Sequence, residues 1–524
     1  MATTEIHQVS LTLQEQLPIL QIVIPFLSAP LIVLVGIRSL AWYIAFGASA
    51  LSLAISWALL GQVLDGSFIS YQIGGWAPPF GIEYRIDATN ALVLFLISLI
   101  GTIVLPYAKS SAPNELGIRG QTLFYACWML CFTGLLGIVI TGDAFNIFVF
   151  LEISSLSTYV LVAMGAAKDR RALTAAFNYL IMGTVGATFF VIGIGFLYMA
   201  TGTLNLADLA ERVAGQGDNR TLQAGFAFIV VGMGLKAAMV PLHLWMPNAY
   251  TYAPSAVTVF LSATATKASI YVLLRFMFQV FAPAFEFQVA TAFYVFVPLA
   301  LLAMFAASFV AVFQRDLKRM LAYSSIAQIG YMLLGFAMLN SSGITATLVH
   351  MFNHGITKAL LFMVAGAMVF RVGSSFYDNI QGLGRRMPIT GVAVVVGGLS
   401  LIGVPGTVGF ISKWMLVQSA FANGYWIIAI AVMLSSLLAV VYVWRVFEVL
   451  YLTAPAEGVE ASDPPLLMSV PMIILAVACV WFGVFTEVPL GTASIAADGL
   501  MSGTFGLAEP SSATSALPQG QGAH

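Results

Sequence analysis

Apolar runs long enough to cross a bilayer recur along most of this chain. A transmembrane helix needs about 20 mainly apolar residues, and runs of this kind succeed one another through the 524-residue sequence. They lie near residues 17–37, 41–63, 88–107, 121–140, 144–165, 175–200, 222–243, 253–280, 287–313, 320–340, 344–371, 389–420, 424–452 and 466–488. We therefore expect an all-α polytopic membrane protein with about 14 transmembrane helices.

The composition excludes other classes of protein. Only 8% of the residues are charged and 60% are hydrophobic, whereas a soluble domain is about 25% charged. The net charge of −1 offers no basic surface to nucleic acid. The cysteines Cys127, Cys131 and Cys479 lie in apolar runs without metal-binding spacing, which favours a packing role. No basic residue precedes the first apolar run, which argues against a cleaved signal peptide.

Lysine and arginine residues concentrate in the loops on one side of the membrane. Loops after odd-numbered spans hold thirteen of them: Arg38, Lys109, Arg119, Lys168, Arg170, Arg171, Arg315, Lys318, Arg319, Arg371, Arg385, Arg386 and Arg445. The opposite loops hold four: Arg85, Arg212, Arg220 and Arg275. Because lysine and arginine accumulate in cytoplasmic loops, this asymmetry predicts that both termini lie outside.

The remaining basic residues lie inside the apolar runs. They are four lysines: Lys236, Lys267, Lys358 and Lys413. A charge at the centre of a transmembrane helix costs roughly 2.5–3.5 kcal/mol on insertion scales, so these side chains are expected to face the protein interior. Glu152, His243, His350 and His354 are further ionisable groups within spans. Any one of them alone can be a structural hydrogen-bonding group, but four buried lysines together indicate a proton relay.

The most regular cluster is "HMFNHGITKALLF". Its residues His350, His354 and Lys358 are spaced by four, so they lie along one helix face, roughly 6 Å apart per turn. Two such histidines can bind a metal, but the lysine would repel it and no acidic ligand is near, so we expect no metal. A row of titratable groups linked by water is the favoured interpretation. Asn353 and Thr357 are expected to help hold that water.

Two spans are interrupted close to a lysine. The seventh, "GLKAAMVPLHLWMPNAY", and the twelfth, "SLIGVPGTVGFISKW", contain the expected break residues Pro241, Pro247, Pro405 and Gly406. Broken helices in both halves of a chain are typical of the ion path of a transporter. Because the breaks are five spans apart, and an odd offset reverses direction, we expect two inverted five-helix repeats, spans 4–8 and 9–13. The expected divisions are 1–120, 121–280, 287–452, the last span 466–488, and a polar tail 489–524.

The segments between spans are less informative. "SYQIGGWAPPFGIEYRID" is long enough for a β-hairpin with a Gly/Pro turn, and an ordinary surface loop is the alternative. Residues 454–465 form an acidic loop before the last span. The C-terminal sequence "PSSATSALPQGQGAH" has the composition of a disordered segment.

Several motifs together resemble one family. They are "GGWAPPFGIEYRID", "FVFLEISSLSTY", "LKAAMVPLHLWMPNAY" followed by "APSAVTVFL", "DLKRMLAYSSIAQIGYMLLG", "HMFNHGITKALLF" and "GVPGTVGFISKW". The chain resembles the antiporter-like family shared by Mrp cation/proton antiporters, respiratory complex I and membrane-bound hydrogenases. The resemblance covers most of residues 70–450.

Single positions and short motifs indicate which type of subunit the chain resembles. M-type complex I subunits are expected to have Glu where this chain has Lys413, and N-type subunits lack the His and Lys of "HMFNHGITKALLF". L-type and Mrp A-type subunits are longer at the C-terminus and have a histidine at the position that corresponds to Lys267. The combination of "DAFNIFVFLE", "LHLWMPNAYTYAPS" and "FISKW" is most similar to D-type subunits of Mrp antiporters. Asn248 departs from the Asp that is frequent in the family, so a charged role there is in doubt.

The resemblance implies a proton path and a setting for it. Glu152 would pair with Lys236, and Lys267 with the histidine and lysine row would continue the path to Lys413, the terminal proton donor or acceptor. His243 would lie beside this path. The implied function is the proton-conducting subunit of a multisubunit monovalent cation (Na⁺)/proton antiporter in a bacterial cell membrane. Its partners would be the other Mrp subunits, of types A, B, C, E, F and G.

Two other functions stay open at this stage. One is a proton-pumping subunit of a complex I-type or hydrogenase-linked redox complex, which the co-purifying subunits would reveal. The other is a polytopic scaffold whose buried charges are structural. No haem, iron–sulfur or dinucleotide motif is present in the sequence, so we expect no cofactor and no catalytic activity in the chain itself.

Overall fold

The fold is a bundle of long helices. The computed structural model describes residues 12–117, 120–216, 219–281, 286–454 and 461–502. In these ranges twelve helices are long and apolar enough to cross a membrane, with a small two-stranded sheet beside them. The expectation of an all-α polytopic membrane protein is therefore confirmed.

The helices follow one another with short connections. In chain order they are α1 Leu17–Val35, α2 Arg38–Gln62, α3 Ala88–Leu116, α4 Gln121–Ile140, α5 Ala144–Ala163, α6 Arg171–Thr201, α7 Leu206–Ala214, α8 Arg220–Lys236, α9 Met246–Tyr252, α10 Ser255–Arg275, α11 Glu286–Thr291, α12 Val297–Leu302, α13 Ser308–Val312, α14 Leu317–Ala337, α15 Ser341–Val372, α16 Leu383–Arg386, α17 Pro388–Ile402, α18 Val408–Ala422, α19 Trp426–Phe447, α20 Leu466–Val484 and α21 Glu487–Met501. Single π-helical turns join α11, α12 and α13 into one span.

The sequence predicts about 14 spans, two more than the twelve continuous helices in the described part of the structure. The other two are the seventh and twelfth spans, which are interrupted. The seventh consists of α8 and α9, and the twelfth of α17 and α18. Pro241 and Pro247 lie in and just after the first interruption, and Pro405 and Gly406 lie in the second. Proline removes a backbone donor and clashes with the preceding turn, which is why neither span continues as one helix. With these two included, the expected count of about 14 spans is reached.

Matching features occur five spans apart. Asp143 caps α5 by accepting from the Asn146 N–H at 2.7 Å, and Asp316 caps α14 by accepting from the Arg319 N–H at 3.0 Å. Each aspartate also forms an antiparallel β-bridge with a residue that follows the next long helix, Asn205 and Phe376 respectively. Those long helices, α6 and α15, both end at a glycine in the left-handed conformation. These correspondences agree with the five-span repeat expected from the sequence.

Of the two alternatives for residues 70–87, a β-hairpin and an ordinary surface loop, the structure shows the hairpin. β1 Ile69–Gln72 pairs antiparallel with β2 Glu83–Ile86, in the register Ile69 opposite Ile86. Glu83 is buried and accepts hydrogen bonds from Ser70 Oγ at 2.6 Å and from Asn205 Nδ2 at 2.9 Å. The hairpin is thereby fixed to the loop that precedes α7. We call the end of the bundle that carries the connections after odd-numbered spans the basic side, and the hairpin lies at the opposite end.

The polar-tail expectation is wrong for residues 489–501. These residues belong to α21, which packs against α3 and α15. Ala493, Ala496, Ala497 and Leu500 recur at helical spacing and are buried there, and small residues of this kind allow close helix packing. Residues 503–524 of the expected tail lie outside the described residues, as do residues 455–460 of the acidic loop.

The core is centred on α15. This helix is buried from Gly343 to Val369 and packs against α3, α10, α14, α17, α18, α20 and α21. It carries the predicted histidine and lysine row, so the row lies inside the bundle and not at the lipid surface. The fold thus places the predicted relay where a protein environment surrounds it.

Candidate functional site: buried lysines at the helix breaks

Lys236 is the last residue of α8 and lies at the first helix break. Its side chain is 8% exposed, and its Nζ donates to Ser155 Oγ on α5 at 2.5 Å. Ser155 lies three residues after Glu152, on an adjoining face of the same helix. Among the described residues no ion pair joins Glu152 and Lys236. The direct contact of the ammonium is a hydroxyl on the helix that carries Glu152.

The first break is closed by aromatic packing. Trp245 Nε1 donates to the carbonyl of Leu235 at 3.0 Å, and its ring stacks on Tyr179 at 4.1 Å. The Trp245 bond satisfies one of the carbonyls that the end of α8 leaves open. His243 lies in the same break, and its Nδ1 has no hydrogen-bond partner among the described residues. It is therefore close to the end of α8 that carries Lys236.

Lys267 lies at the centre of α10 and is fully buried. Its exposed fraction is 0%, and its Nζ donates to the main-chain carbonyl of Ser262 on the same helix. No carboxylate in the described part of the chain forms an ion pair with it. The ammonium therefore depends on a main-chain dipole and on the neighbouring helix α15 for its environment.

Lys358 bridges α15 and α14. It is also 0% exposed, and its Nζ donates to Ser324 Oγ at 2.5 Å and to the carbonyl of Leu321 at 2.9 Å. Both acceptors are neutral, so the ammonium is held by hydrogen bonds and not by a fixed countercharge. A lysine held in this way can exchange its proton without breaking an ion pair.

His350 and His354 form a stacked pair on α15. Their ring centroids are 6.0 Å apart with an interplanar angle of 11°. His350 Nδ1 hydrogen-bonds with Ser412 Oγ at 2.8 Å, whereas His350 Nε2 and both ring nitrogens of His354 have no partner within the described ranges. Buried polar groups are normally hydrogen-bonded, and internal water commonly satisfies them. The unpartnered nitrogens therefore mark positions that suit internal water.

Lys413 lies at the second helix break. Its Nζ donates to the carbonyls of Leu401 and Ile402, the last two residues of α17, at 2.9 Å each. It also lies 5.0 Å from the ring centroid of Tyr331. The carbonyl end of a helix carries partial negative charge and four unsatisfied acceptors. The break thus creates the site that holds this ammonium.

The second break is held to α15 by two predicted residues. Asn353 Nδ2 donates to the carbonyl of Val408 at 2.6 Å, and Thr357 Oγ1 hydrogen-bonds with Ser400 Oγ at 2.8 Å. Asn353 Oδ1 has no partner among the described residues. The two side chains therefore contact both halves of the broken span, a role that the sequence did not indicate.

The predicted groups surround one central helix. His350 and Lys358 belong to α15, and Lys267 and Lys413 belong to α10 and α18, which each pack against α15. Lys236 lies on α8, which packs against α10. In the part of the chain that the structure describes, no three His, Cys, Asp or Glu side chains converge as a metal site would require.

Sequence reasoning missed a buried ion pair. Arg275, counted above among the four basic residues of the opposite loops, is 3% exposed and binds Asp87 through two parallel bonds of 2.6 and 2.7 Å. Tyr271 and Gln279 complete its hydrogen bonding. The D-x-x-N pattern of Asp87 and Asn90, which forms a capping box at the start of α3, was the available signal for an ordered aspartate here.

The serines that contact Lys236, Lys358 and His350 were also missed. Ser155, Ser324 and Ser412 all lie within motifs noted in the sequence, but nothing in their spacing showed which ionisable group each would contact. Glu115, Ser255 and Lys318 form a second unpredicted cluster at the basic side.

Comparisons with known proteins agree with this architecture. The family described as "NADH:quinone oxidoreductase/Mrp antiporter, TM" matches residues 141–439. The N-type subunit of NADH-quinone oxidoreductase from Desulforudis audaxviator is 38% identical over 90% of this chain and 96% of its own length. The D-type subunit of the Na⁺/H⁺ antiporter from Bacillus subtilis is 29% identical over 82% of this chain and 85% of its own.

A solved structure shows the same fold. A chain of the Mrp complex from Dietzia sp. DQ12-45-1b superposes with a TM-score of 0.86 and 25% identity, over 94% of this chain and 98% of that one. The relatives thus include both antiporter and quinone-reductase subunits, and their resemblance spans nearly the entire bundle. The chain belongs to the NADH:quinone oxidoreductase/Mrp antiporter family of membrane subunits.

Proposed function

We propose that this chain is the proton-conducting subunit of a multisubunit antiporter that exchanges a monovalent cation, Na⁺, for protons. Protons would pass along Glu152, Lys236, Lys267, the α15 row and Lys413. The observation that carries the proposal is the set of four buried lysines, each held by neutral hydroxyls or carbonyls, two of them at helix breaks. Ionisable groups inside a membrane bundle are typical of proton paths.

Electrostatic interaction between neighbouring groups would drive each transfer. Two unit charges about 6 Å apart at an effective dielectric constant near 20 interact by roughly 3 kcal/mol. That is about a hundredfold in proton affinity. Arrival of a proton or cation beside one lysine can therefore move the proton of the next, and Glu152 would set the affinity of Lys236 in this way.

The proposal includes the setting of the subunit. It would act in a bacterial cell membrane with both termini outside, in a complex with Mrp subunits of the A, B, C, E, F and G types. The similarity to the D-type Na⁺/H⁺ antiporter subunit and to the Mrp complex structure supports this assignment. The chain itself would be a transporter subunit without catalytic chemistry or a cofactor.

A second candidate is a proton-translocating subunit of a redox complex. The 38% identity to an N-type subunit of NADH-quinone oxidoreductase favours it. The same lysine path would then be driven by electron transfer in partner subunits. Affinity purification of the tagged chain separates the two: small Mrp-type membrane subunits would support the antiporter, and redox subunits with bound cofactors the alternative.

Glu152→Ala and Lys236→Ala test the relay. The assembled complex in sealed vesicles is given a Na⁺ gradient, and a pH-sensitive dye follows proton movement. Both variants are expected to lose exchange while co-purifying with all partners. Lys109→Ala is the matched control, because Lys109 lies over the rings of Trp42 and Tyr43 away from the path. Wild-type exchange by both assembled variants would support a scaffold with structural charges instead.

A further inference from the structure

A cavity opens among the loops of the basic side. Its volume is about 240 Å³, and it lies where α3 and α15 end and where α10 and α14 begin. Charged side chains line much of its wall: Glu115, Lys168, Asp169, Arg171, Asp316 and Lys318. A cavity of this size holds several water molecules, and its polar wall lies at the end of the α15 core.

Three groups form a hydrogen-bonded chain at this cavity. Lys318 Nζ donates to Ser255 Oγ at 3.1 Å, and Ser255 Oγ donates to Glu115 Oε2 at 3.2 Å. Lys318 is 4% exposed, Ser255 is 0% exposed and Glu115 is 9% exposed. An ammonium, a hydroxyl and a carboxylate thus form a hydrogen-bonded row whose two end groups, Lys318 and Glu115, line the cavity.

The Lys318 end of this row lies on the helix that also holds a lysine of the proposed path. Lys318 lies one turn before Leu321 and two turns before Ser324 on α14, and these two residues supply both acceptors of the Lys358 ammonium. Three-residue steps keep side chains on adjoining parts of a helix surface. The rise from Lys318 to Ser324 is about 9 Å, a distance that a few water molecules can bridge.

A purely structural role explains only part of this arrangement. Glu115 accepts from the Ser255 N–H at 2.9 Å and so caps α10, whose own N-cap residue, Pro254, has no side-chain cap. That accounts for the carboxylate. It does not account for Lys318, which bonds to the hydroxyl and forms no ion pair with Glu115 or Asp316 in the described part of the chain.

We propose that Glu115, Ser255 and Lys318 form the proton-uptake site through which water on the basic side exchanges protons with Lys358. The proposal rests on the proposed function, since it needs a proton path through Lys358. It adds an entrance that lies about two helix turns from Ser324, the residue whose hydroxyl holds that lysine.

The transfer balances without any further reactant. A hydronium ion in the cavity water gives its proton to the Glu115 carboxylate and is left as water. The carboxylic acid then passes its proton to Ser255 Oγ as the hydroxyl gives its own proton to the neutral amine of Lys318, so that the serine is unchanged. Lys318 next releases a proton through water toward Ser324 and Lys358, and returns to the neutral amine.

Lys318→Arg is the decisive variant. Arginine keeps the positive charge and the hydrogen-bond donors but cannot release a proton in a protein. If Lys318 is an uptake group, cation-driven proton movement in vesicles of the assembled complex should fall by at least about tenfold. If Lys318 is only a structural cation, exchange should match the wild type. Lys168→Arg, at an exposed lysine of the same cavity, is the matched control and should retain wild-type exchange.

A second pair of variants keeps the test independent of folding. Ser255→Thr retains a hydroxyl and should retain most exchange, whereas Ser255→Ala leaves the main-chain cap intact but breaks the chain of transfer and should lower exchange several-fold. Lys318→Cys treated with an aminoethylating reagent restores a titratable amine and should recover exchange. Full activity of Lys318→Arg would by itself overturn the proposal.

Comparison with Lys358→Met separates the uptake site from the relay. Loss of exchange in Lys358→Met with wild-type exchange in Lys318→Arg would remove the uptake site and leave the relay standing. Wild-type exchange in both assembled variants would remove the proposed function as well. Loss in both, with the Lys168→Arg control unaffected, is the expected result.

Discussion

The Lys413 ammonium donates a hydrogen bond to the main-chain carbonyl of Ile402 at 2.9 Å, and so ties the second half of the broken twelfth span to the end of the first. Helix ends leave carbonyls without partners, and partial negative charge accumulates there. The interruption therefore supplies hydrogen-bond acceptors inside the bundle. These carbonyl groups offset part of the free-energy cost of burying the Lys413 ammonium.

Lys413→Met should affect both stability and transport. The change preserves much of the side-chain volume but leaves the carbonyls of Leu401 and Ile402 without their donor, which costs about 1–3 kcal/mol. We expect a lower unfolding temperature of the purified complex and loss of cation-driven proton movement. Unchanged exchange in vesicles would remove Lys413 from the path even if stability falls.

Ser412→Ala should slow exchange without abolishing it. The Ser412 hydroxyl is the hydrogen-bond partner of His350 Nδ1, and it precedes Lys413 in the chain. Loss of one such bond is worth about 0.5–1.5 kcal/mol, or about two- to tenfold in rate. Ser412→Thr, which keeps the hydroxyl, should stay closer to the wild type. Equal rates for the two variants would show that the hydroxyl has no part in transfer.

Gly409→Ala should disrupt the second break. A Cβ at Gly409 would clash with the carbonyl oxygen of Ser400, so α18 could not pack against α17 as it does. Overpacking of this kind costs about 1–3 kcal/mol or more, and exchange should fall with it. Gly195→Ala on α6 is the matched control, since a Cβ there meets no atom within 4 Å. Complex yield, unfolding temperature and vesicle exchange are compared, and equal values for the two variants would contradict the expected clash.

Asp463→Ala should destabilise the twelfth span from outside the membrane. The Asp463 carboxylate accepts from the N–H groups of Ile389 and Thr390 at 3.0 and 2.9 Å, at the start of α17. Loss of a helix cap costs about 0.5–2 kcal/mol. Asp463→Asn keeps an acceptor oxygen and should lie between Ala and wild type in unfolding temperature. Identical unfolding temperatures for all three forms would rule out the capping role.

The sequence was most informative about features that depend on local pattern. Apolar runs of bilayer length indicated the spans, proline and glycine indicated the two breaks, and a long segment with a Gly/Pro turn indicated the β-hairpin. The buried positions of the four lysines also followed from their place inside apolar runs, because a charge facing lipid is too costly. Each of these features is set by residues close together in the chain.

Local sequence patterns could not predict contacts between residues that are far apart in the chain. Arg275 and Asp87 are far apart in sequence, and only the folded bundle shows that they pair. The direct partner of Lys236 proved to be Ser155, one turn beyond the expected Glu152, because hydroxyls are frequent and their spacing does not mark them. The helix α21 was mistaken for tail because small alanine-rich faces resemble polar linkers in composition.

The most direct test of the proposed relay is Na⁺-driven proton movement in vesicles that contain the assembled complex with Lys358→Met. Lys358 is fully buried on the central helix and is held by Ser324 and Leu321, so methionine fills its place without leaving an unpaired charge. A relay through Lys358 predicts that proton movement falls to the level of vesicles without the complex, while the Lys109→Ala complex exchanges normally. Wild-type proton movement through a fully assembled Lys358→Met complex would contradict it.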